Sequence, residues 1–174
     1  MIKQFLAVLV LASLAFSVLA QPALFVEGTH YTVLPTVVKT NDASKIEVVE
    51  VFWYGCPHCF TFEPLVEDFI ANAPADVDFV RFPAIWNDLM KIHAQVLYAA
   101  DALGKLDVLH SPIFNAINVE GNRLQNEQQI SALFAKHGVS AEEFSRAFNS
   151  FSVKTKVNQA EAKMREYQVR STPK

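Results

Sequence analysis

The feature that most constrains this chain is its cysteine pair, because Cys56 and Cys59 are the only two cysteines in 174 residues. They lie where an apolar, β-branched run (residues 46–53) gives way through Gly55 to a segment with helical periodicity. Two cysteines spaced this way at the start of a helix can bring both sulfur atoms together across one turn. The helix N-terminus favours negative charge on the first sulfur. The pattern predicts a site where one thiolate attacks a disulfide and the second thiol resolves the mixed disulfide.

The two residues between the cysteines refine this interpretation. Pro57 suits the first turn of a helix, because its missing N–H costs no hydrogen bond there. A free thiol, with a pKa of about 8.5, is only ~3% thiolate at pH 7. We expect the helix N-terminus and His58 to lower the pKa of Cys56. Since a stabilised thiolate favours the reduced form, the disulfide becomes a stronger oxidant, and we predict an oxidase.

Three parts of the chain together resemble the DsbA family of bacterial periplasmic thiol:disulfide oxidases. They are the Cys-Pro-His-Cys motif at residues 56–59, Glu50 six residues before it, and the closing Val-Arg-Ser-Thr-Pro at residues 169–173. The resemblance extends from about residue 25 to residue 173. It implies an α/β, thioredoxin-like fold with a helical insertion that covers the redox site. It also implies a C-terminal hairpin and helix, which we expect to be missing from this chain, as if it were truncated after the proline motif.

Glu50 lies on the same face of the predicted strand as Val48 and Phe52. One interpretation is a solvated carboxylate near the end of a sheet. The other is a buried acid with a raised pKa beneath the cysteines. The resemblance favours the second and implies that Glu50 exchanges a proton with Cys59.

Thr172 and Pro173 match the family's loop in which a cis proline lies beside the cysteines. A cis X-Pro bond is uncommon and is usually a conserved feature of a fold, but sequence does not reveal the isomer. The resemblance implies that these two residues hold an extended substrate peptide close to the nucleophile.

The chain is predicted to have two segments. Residues 1–20 resemble a signal peptide, with Lys3, an apolar stretch and a small-residue cleavage site at Ala20. Residues 21–174 are expected to form an incomplete thioredoxin-like domain whose helical insertion spans about residues 84–152. This domain is predicted to contain three strands, at residues 31–34, 46–53 and 77–82.

Two prolines fall within segments that have helical periodicity. Pro64 is expected to kink or divide the helix that begins at the cysteines. Pro112 is expected to interrupt a helix in the insertion.

Composition limits the function classes without choosing among redox roles. With 51% hydrophobic and 19% charged residues, the chain can bury a substantial core, and a net charge of −3 argues against binding nucleic acid. A disulfide isomerase or reductase, a thioredoxin-like metal-binding chaperone and an inactive fragment remain alternatives. A structural zinc site needs two ligands beyond the cysteine pair. The histidines outside the motif lack paired spacing and are expected to be surface or internally satisfied residues: His30, His93, His110 and His137.

The remaining expectations concern partners and location. We expect no cofactor and no bound metal, and we expect a monomer exported to the periplasm, where disulfides persist. The resemblance implies that reduced exported proteins are the substrates and that a quinone-linked membrane protein of the DsbB type reoxidises the cysteines.

Overall fold

The computed structural model describes residues 24–174, and the chain divides into two compact units between Pro35 and Thr36. The predicted signal peptide, with its cleavage near Ala20, lies outside the described residues. In the first unit, Glu27 and Tyr31 form an isolated bridge around a tight turn. Gly28 occupies the left-handed region in this turn, with a φ of 79°.

The second unit contains two strands and six helices. In chain order these are β1 (Ile46–Phe52), α1 (Pro57–Asn72), β2 (Val77–Pro83), α2 (Asp88–Ala102), α3 (Leu106–Asn118), α4 (Glu127–Lys136), α5 (Ala141–Phe148) and α6 (Phe151–Glu166). The two strands are parallel, and α1 makes the crossover between them. Helices α2 to α5 therefore separate β2 from α6, as the predicted helical insertion requires.

The edge of β1 away from β2 is paired with the end of the chain. Lys174 and Val51 exchange both backbone hydrogen bonds, at 2.8 and 3.1 Å. The prediction of a strand at residues 31–34 is wrong, since residues 32–34 have no regular structure and Tyr31 contributes only its bridge. The local turn at Gly28 outweighs the β propensity of this short segment.

The two faces of β1 pack against different clusters of buried residues. Val51 belongs to a buried cluster with residues of α2 and α6, among them Met90, Val157 and Met164. Phe52 belongs to a larger cluster with the cysteines and the helices of the insertion, including Phe114, Ile130, Phe134 and Phe144. The insertion thus packs directly on the turn that carries the cysteines.

The two internal prolines do not divide their helices. Helix α1 runs unbroken through Pro64, and α3 runs unbroken through Pro112. Buried side chains lie on both sides of each proline, Glu63 and Val66 in α1 and His110 and Ile113 in α3. Packing along the whole helix offsets the one backbone hydrogen bond that each proline removes.

Within residues 24–174, no helix combines the length and the apolar character needed to span a bilayer.

Candidate dithiol exchange site

Cys56 is the N-cap residue of α1 and has an extended backbone, with φ −93° and ψ 113°. Its Sγ accepts a hydrogen bond from the backbone N–H of Cys59 at 3.4 Å, and Pro57 occupies the first helical position. Both cysteines are free thiols, with Cys56 7% exposed and Cys59 fully buried. One sulfur is therefore at the surface end of the helix, and the other is shielded one turn inside.

The tight turn of the chain that leads into Cys56 depends on Gly55. A Cβ at this position would lie only 2.4 Å from the indole ring of Trp53, so the turn has no space for a side chain. Trp53 is itself held in place, because its Nε1 donates to Nδ1 of His93 at 2.9 Å. The other nitrogen of His93 lies 2.9 Å from the carbonyl oxygen of Arg123, which fixes its proton on Nε2.

The pKa values of the two thiols are shifted in opposite directions. Burial alone would raise the pKa of Cys56, but hydrogen bonding from the Thr172 side chain and from the Cys59 backbone outweighs burial and lowers it. Burial raises the pKa of Cys59 to about 12, and the neighbouring Cys56 adds to this increase. Cys56 is therefore suited to act as nucleophile and leaving group, whereas the neighbouring Cys59 keeps its proton.

The backbone N–H of His58 donates one of the hydrogen bonds that lower the pKa of Cys56. The imidazole of His58 is exposed to solvent. The predicted effect of this side chain on Cys56 stays a prediction.

The loop at residues 172–173 lies directly against Cys56. The Thr172–Pro173 peptide bond is cis, and the Cys56 thiol lies 3.7 Å from the carbonyl oxygen of Thr172. The hydrogen bonds between Lys174 and Val51 connect this loop to the strand that leads into the cysteine turn. Residues 116 positions apart in sequence thereby meet at one sulfur atom.

Glu50 is buried, with 5% of its surface exposed, so the interpretation as a solvated carboxylate is wrong. Burial, together with the negative charge of Glu63, raises the pKa of Glu50 to about 7. Arg81 opposes this rise through an ion pair, with its Nε 3.2 Å from Oε2 of Glu50. At neutral pH Glu50 can therefore both hold and release a proton.

A buried polar network extends from Glu50 to the insertion. Arg81 also donates to Glu63, which lies one helical turn after Cys59 on α1. Oε1 of Glu63 lies 3.1 Å from Nε2 of His110, and Nδ1 of His110 lies 2.8 Å from the hydroxyl of Tyr54. The network thus connects β1, β2, α1 and α3 beneath the cysteine turn.

Sequence reasoning did not find four members of this network: Tyr54, Glu63, Arg81 and His110. One signal was available, since Glu50 and Arg81 are opposite charges in two strands that were both predicted, and they are register partners in the sheet. Glu63 and His110 carry no comparable sequence signal, because only the tertiary fold brings them together.

Among residues 24–174, one group of side chains has the geometry of three potential metal ligands. Ligand atoms of Glu63, Glu67 and His110 lie within 4.8 Å of one another. Arg81 already donates to both carboxylates and supplies the positive charge there. The cysteine pair is not part of this group.

The arrangement around Cys56 has the parts that thiol–disulfide exchange needs. The first thiol is stabilised as a thiolate, the second is shielded, and the loop at Thr172 lies beside the first. The fold around them is thioredoxin-like with an inserted set of helices. The class of protein is therefore a dithiol–disulfide oxidoreductase.

Comparison with known proteins agrees with this class. Residues 79–174 match the family model of the DSBA-like thioredoxin domain. The thiol:disulfide interchange protein DsbA of Azotobacter vinelandii is 38% identical over 146 residues, which are 84% of this chain and 68% of the relative. Its counterpart in Pseudomonas aeruginosa is 36% identical over 167 residues, or 96% and 79% of the two chains.

Solved structures give the same result. The crystal structure of Pseudomonas aeruginosa DsbA has a TM-score of 0.77 at 36% identity, covering 80% of this chain and 73% of its own. Reduced DsbA1 from Neisseria meningitidis has a TM-score of 0.77 at 28% identity, with coverages of 87% and 81%. This chain belongs to the DsbA family of thiol:disulfide oxidoreductases. The predicted family and thioredoxin-like fold are confirmed.

Proposed function

We propose that this protein is an oxidase that donates the Cys56–Cys59 disulfide to reduced proteins. The observation that carries the proposal is the asymmetry of the two thiols, with a lowered pKa at Cys56 and a raised pKa at Cys59. Stabilising the Cys56 thiolate stabilises the reduced form of the pair. Each pKa unit is worth about 1.4 kcal/mol, or about 30 mV in a two-electron couple, so the disulfide becomes a stronger oxidant.

The reaction proceeds in two exchanges. A substrate thiolate attacks Sγ of Cys56, a substrate–Cys56 bond forms, and the Cys56–Cys59 bond breaks as its electron pair passes to Cys59. The second substrate thiolate then attacks the substrate sulfur in the mixed disulfide, and Cys56 leaves as a thiolate. The substrate loses two electrons and forms a disulfide, while the cysteine pair gains both electrons.

Glu50 is proposed to supply and accept the proton of Cys59. A thiol with a pKa of about 12 leaves readily only if it is protonated as it departs. Glu50, with a pKa of about 7, carries a proton in a substantial fraction of molecules at neutral pH. The network through Arg81 and Glu63 reaches α1 one turn from Cys59, which supports this role.

Pro57 and His58 are proposed to adjust the first thiol. Pro57 begins α1 and leaves the following N–H groups free to point towards Cys56. The exposed imidazole of His58 adds positive charge near the thiolate whenever it is protonated.

Thr172 and Pro173 are proposed to bind the substrate backbone in an extended conformation. The proximity of the Thr172 carbonyl to the Cys56 sulfur supports this, because a peptide aligned with this loop has its cysteine beside the nucleophile.

The cellular setting is proposed from the family and the sequence. Residues 1–20 are a signal peptide cleaved near Ala20, and residues 21–174 form the redox domain, with the insertion at about residues 84–152. The protein acts as a monomer in the periplasm on reduced exported proteins. A quinone-linked membrane partner of the DsbB type reoxidises it.

The proposal is tested by mixing the oxidised protein with a reduced, unfolded protein that contains several cysteines. We expect one substrate disulfide to form for each Cys56–Cys59 disulfide consumed, and no exchange with Cys56→Ala. A protein that rearranges a scrambled substrate but fails to oxidise a reduced one would be an isomerase, and that result would overturn the proposal.

A further inference from the structure

His110 occupies a closed position that the exchange reaction does not explain. It is 4% exposed, and the aromatic rings of Phe52, Tyr54 and Phe114 surround it with centroid distances of 5.2 to 5.5 Å. Both ring nitrogens are hydrogen-bonded, Nδ1 to the Tyr54 hydroxyl and Nε2 to Glu63. Because both ring nitrogens of His110 are hydrogen-bonded, its partners, and not packing alone, explain why a polar ring occupies this buried site.

The partners determine which nitrogen carries the proton. Burial works against ionisation of Glu63, but its hydrogen bond to His110 leads the opposing interactions, which lower its pKa. An ionised carboxylate only accepts hydrogen bonds, so Nε2 of His110 must donate. In the neutral ring Nδ1 then accepts from the hydroxyl of Tyr54. Tyr54 therefore selects the tautomer that can donate to Glu63.

Arg81 alone cannot satisfy the carboxylates around it. Its single positive charge is shared among Glu50, Glu63 and Glu67. Among the described side chains, Oε1 of Glu50 and Oε2 of Glu63 are buried without a hydrogen-bond partner. The hydrogen bond from His110 therefore decides how firmly Glu63 keeps its negative charge.

We propose that His110 is a positioning residue for the proton exchange: its hydrogen bond holds Glu63 ionised against Arg81, and the charge of Glu63 favours the protonated form of Glu50. This inference rests on the proposed role of Glu50 and extends it to α3 of the insertion. The charged and titratable groups that interact with Glu50 are Glu63 and Glu67 on α1, Arg81 on β2 and Tyr54 after β1, and Lys174 lines the same surface pocket. His110 on α3 acts on Glu50 through its contact with Glu63.

The direction of the effect follows from like-charge repulsion. While Glu63 is negative, ionisation of Glu50 places a second negative charge in a buried site. Without the hydrogen bond from His110, Glu63 takes up a proton more easily and its charge is lost. Arg81 then pairs with Glu50 against Glu67 alone, and Glu50 releases its proton at a lower pH.

The test is the pH titration of the Glu50 carboxyl carbon by NMR in the ¹³C-labelled reduced protein, with the signal assigned through Glu50→Gln. His110→Phe keeps an aromatic ring in the same position but removes both nitrogens. We expect the titration midpoint of Glu50 to fall by about one pH unit, the lower end of the range of about 1–3 units that a close positive charge such as Arg81 produces at a carboxyl group. Tyr54→Phe removes only the hydroxyl and should lower the midpoint by a smaller amount.

His93→Phe is the matched control. His93 is equally buried, but its partners are Trp53 and a backbone carbonyl, so the same replacement should leave the Glu50 midpoint in place. An unchanged midpoint in His110→Phe would overturn the inference. If His110→Phe fails to fold, an unchanged midpoint in Tyr54→Phe would overturn it equally.

The same proteins separate this inference from the proposed function. If Glu50→Gln resolves mixed disulfides at the wild-type rate, Glu50 is not the proton partner of Cys59, whatever the titration shows. If Glu50→Gln is slow but the midpoint does not respond to His110, the role of Glu50 stands and the role of His110 is rejected.

Discussion

At the scale of single residues, the chemistry depends on a difference between two identical side chains. Cys56 caps a helix and receives an N–H hydrogen bond, whereas Cys59 lies fully buried three residues later. The same helical turn therefore stabilises one thiolate and disfavours the other. Replacing Cys56 and replacing Cys59 should consequently produce different defects in disulfide exchange.

Cys59→Ser should leave Cys56 able to join a substrate but unable to escape from it by intramolecular attack. We expect the mixed disulfide with a small-molecule disulfide to persist, and mass spectrometry of the non-reduced protein would show it. Cys56→Ala should form no such adduct, because the remaining thiol is buried with a pKa of about 12. Comparable adduct formation at Cys59 in that variant would contradict the assigned roles.

Glu50→Gln should slow resolution of the mixed disulfide by roughly 10²-fold, the lower end of the effect of losing a positioned acid–base group. Stopped-flow measurement of the attack of Cys59 on a preformed mixed disulfide at Cys56, over a pH range, would show the loss. Wild-type kinetics in this variant would reject the role of Glu50 as proton partner.

Glu50 should also affect the pH dependence of stability. Its pKa rises from 4.5 to about 7 on folding, so the folded state binds the proton more tightly. The stabilisation is therefore complete below pH 4.5 and is lost as the pH rises through 7. Between pH 4.5 and pH 8 this group should lower the free energy of unfolding by up to about 3 kcal/mol.

Urea unfolding of the disulfide form at several pH values measures this effect without titration of the thiols. The decline should be smaller in Glu50→Gln, which cannot ionise. Equal declines in the two proteins would show that Glu50 does not have a raised pKa.

His58→Ala should make the disulfide less oxidising, although only in part. The backbone N–H of residue 58, which helps to lower the pKa of Cys56, remains in the variant, so only the contribution of the imidazole is lost. Equilibration with glutathione measures the change in potential. An unchanged potential would mean that the His58 side chain has no part in tuning Cys56.

At the scale of secondary-structure elements, the junction from β1 to α1 is the most constrained part of the structure. Trp53 covers Gly55 so closely that no side chain fits, and Gly55 leads directly into the N-cap. Gly55→Ala should therefore displace the indole and destabilise the fold by about 1–3 kcal/mol, the usual cost of overpacking.

A double-mutant cycle identifies the cause of this destabilisation. Combining Gly55→Ala with Trp53→Val removes the ring that the new methyl group would meet, so the two costs should not add. The single variants Gly55→Ala and Trp53→Val give the two separate costs that the cycle compares. Additive costs in the cycle would show that the close contact with Trp53 is not responsible.

The elements also show where sequence patterns succeed and where they fail. The apolar run, the glycine and the cysteine spacing predicted β1, the turn and α1, because these signals are local. The interruption at Pro112 was predicted wrongly and α1 is not divided at Pro64, since tertiary packing holds both helices together. Ile46, at the start of the predicted strand, is 60% exposed, because only the second half of β1 is buried.

At the scale of the whole molecule, the site is assembled from distant parts of the chain. The cysteines lie in α1, Arg81 in β2, His110 in the insertion and Thr172 at the far end. The family resemblance indicated the insertion and the proline loop. It did not indicate the polar network, because a buried histidine such as His110 looks in sequence like any other internally satisfied histidine. Only the fold shows that this residue contacts Glu63.

The account also predicts how the parts depend on one another. The pKa of Cys56 is lowered by groups from both ends of the domain, Thr172 and the start of α1. A thiol with a low pKa therefore reports that the complete site has formed, not only the local turn.

The pH dependence of alkylation of reduced Cys56, followed by mass spectrometry, tests this central claim most directly. We predict that the midpoint of the alkylation rate lies below the pH at which an ordinary thiol ionises, since the thiolate is stabilised by the helix N-terminus and the loop at Thr172. Cys59 should remain unmodified over the same range. A midpoint for Cys56 near the ordinary thiol value of about 8.5 would contradict the account. It would show that the assembled site does not produce the acidic thiol on which disulfide donation depends.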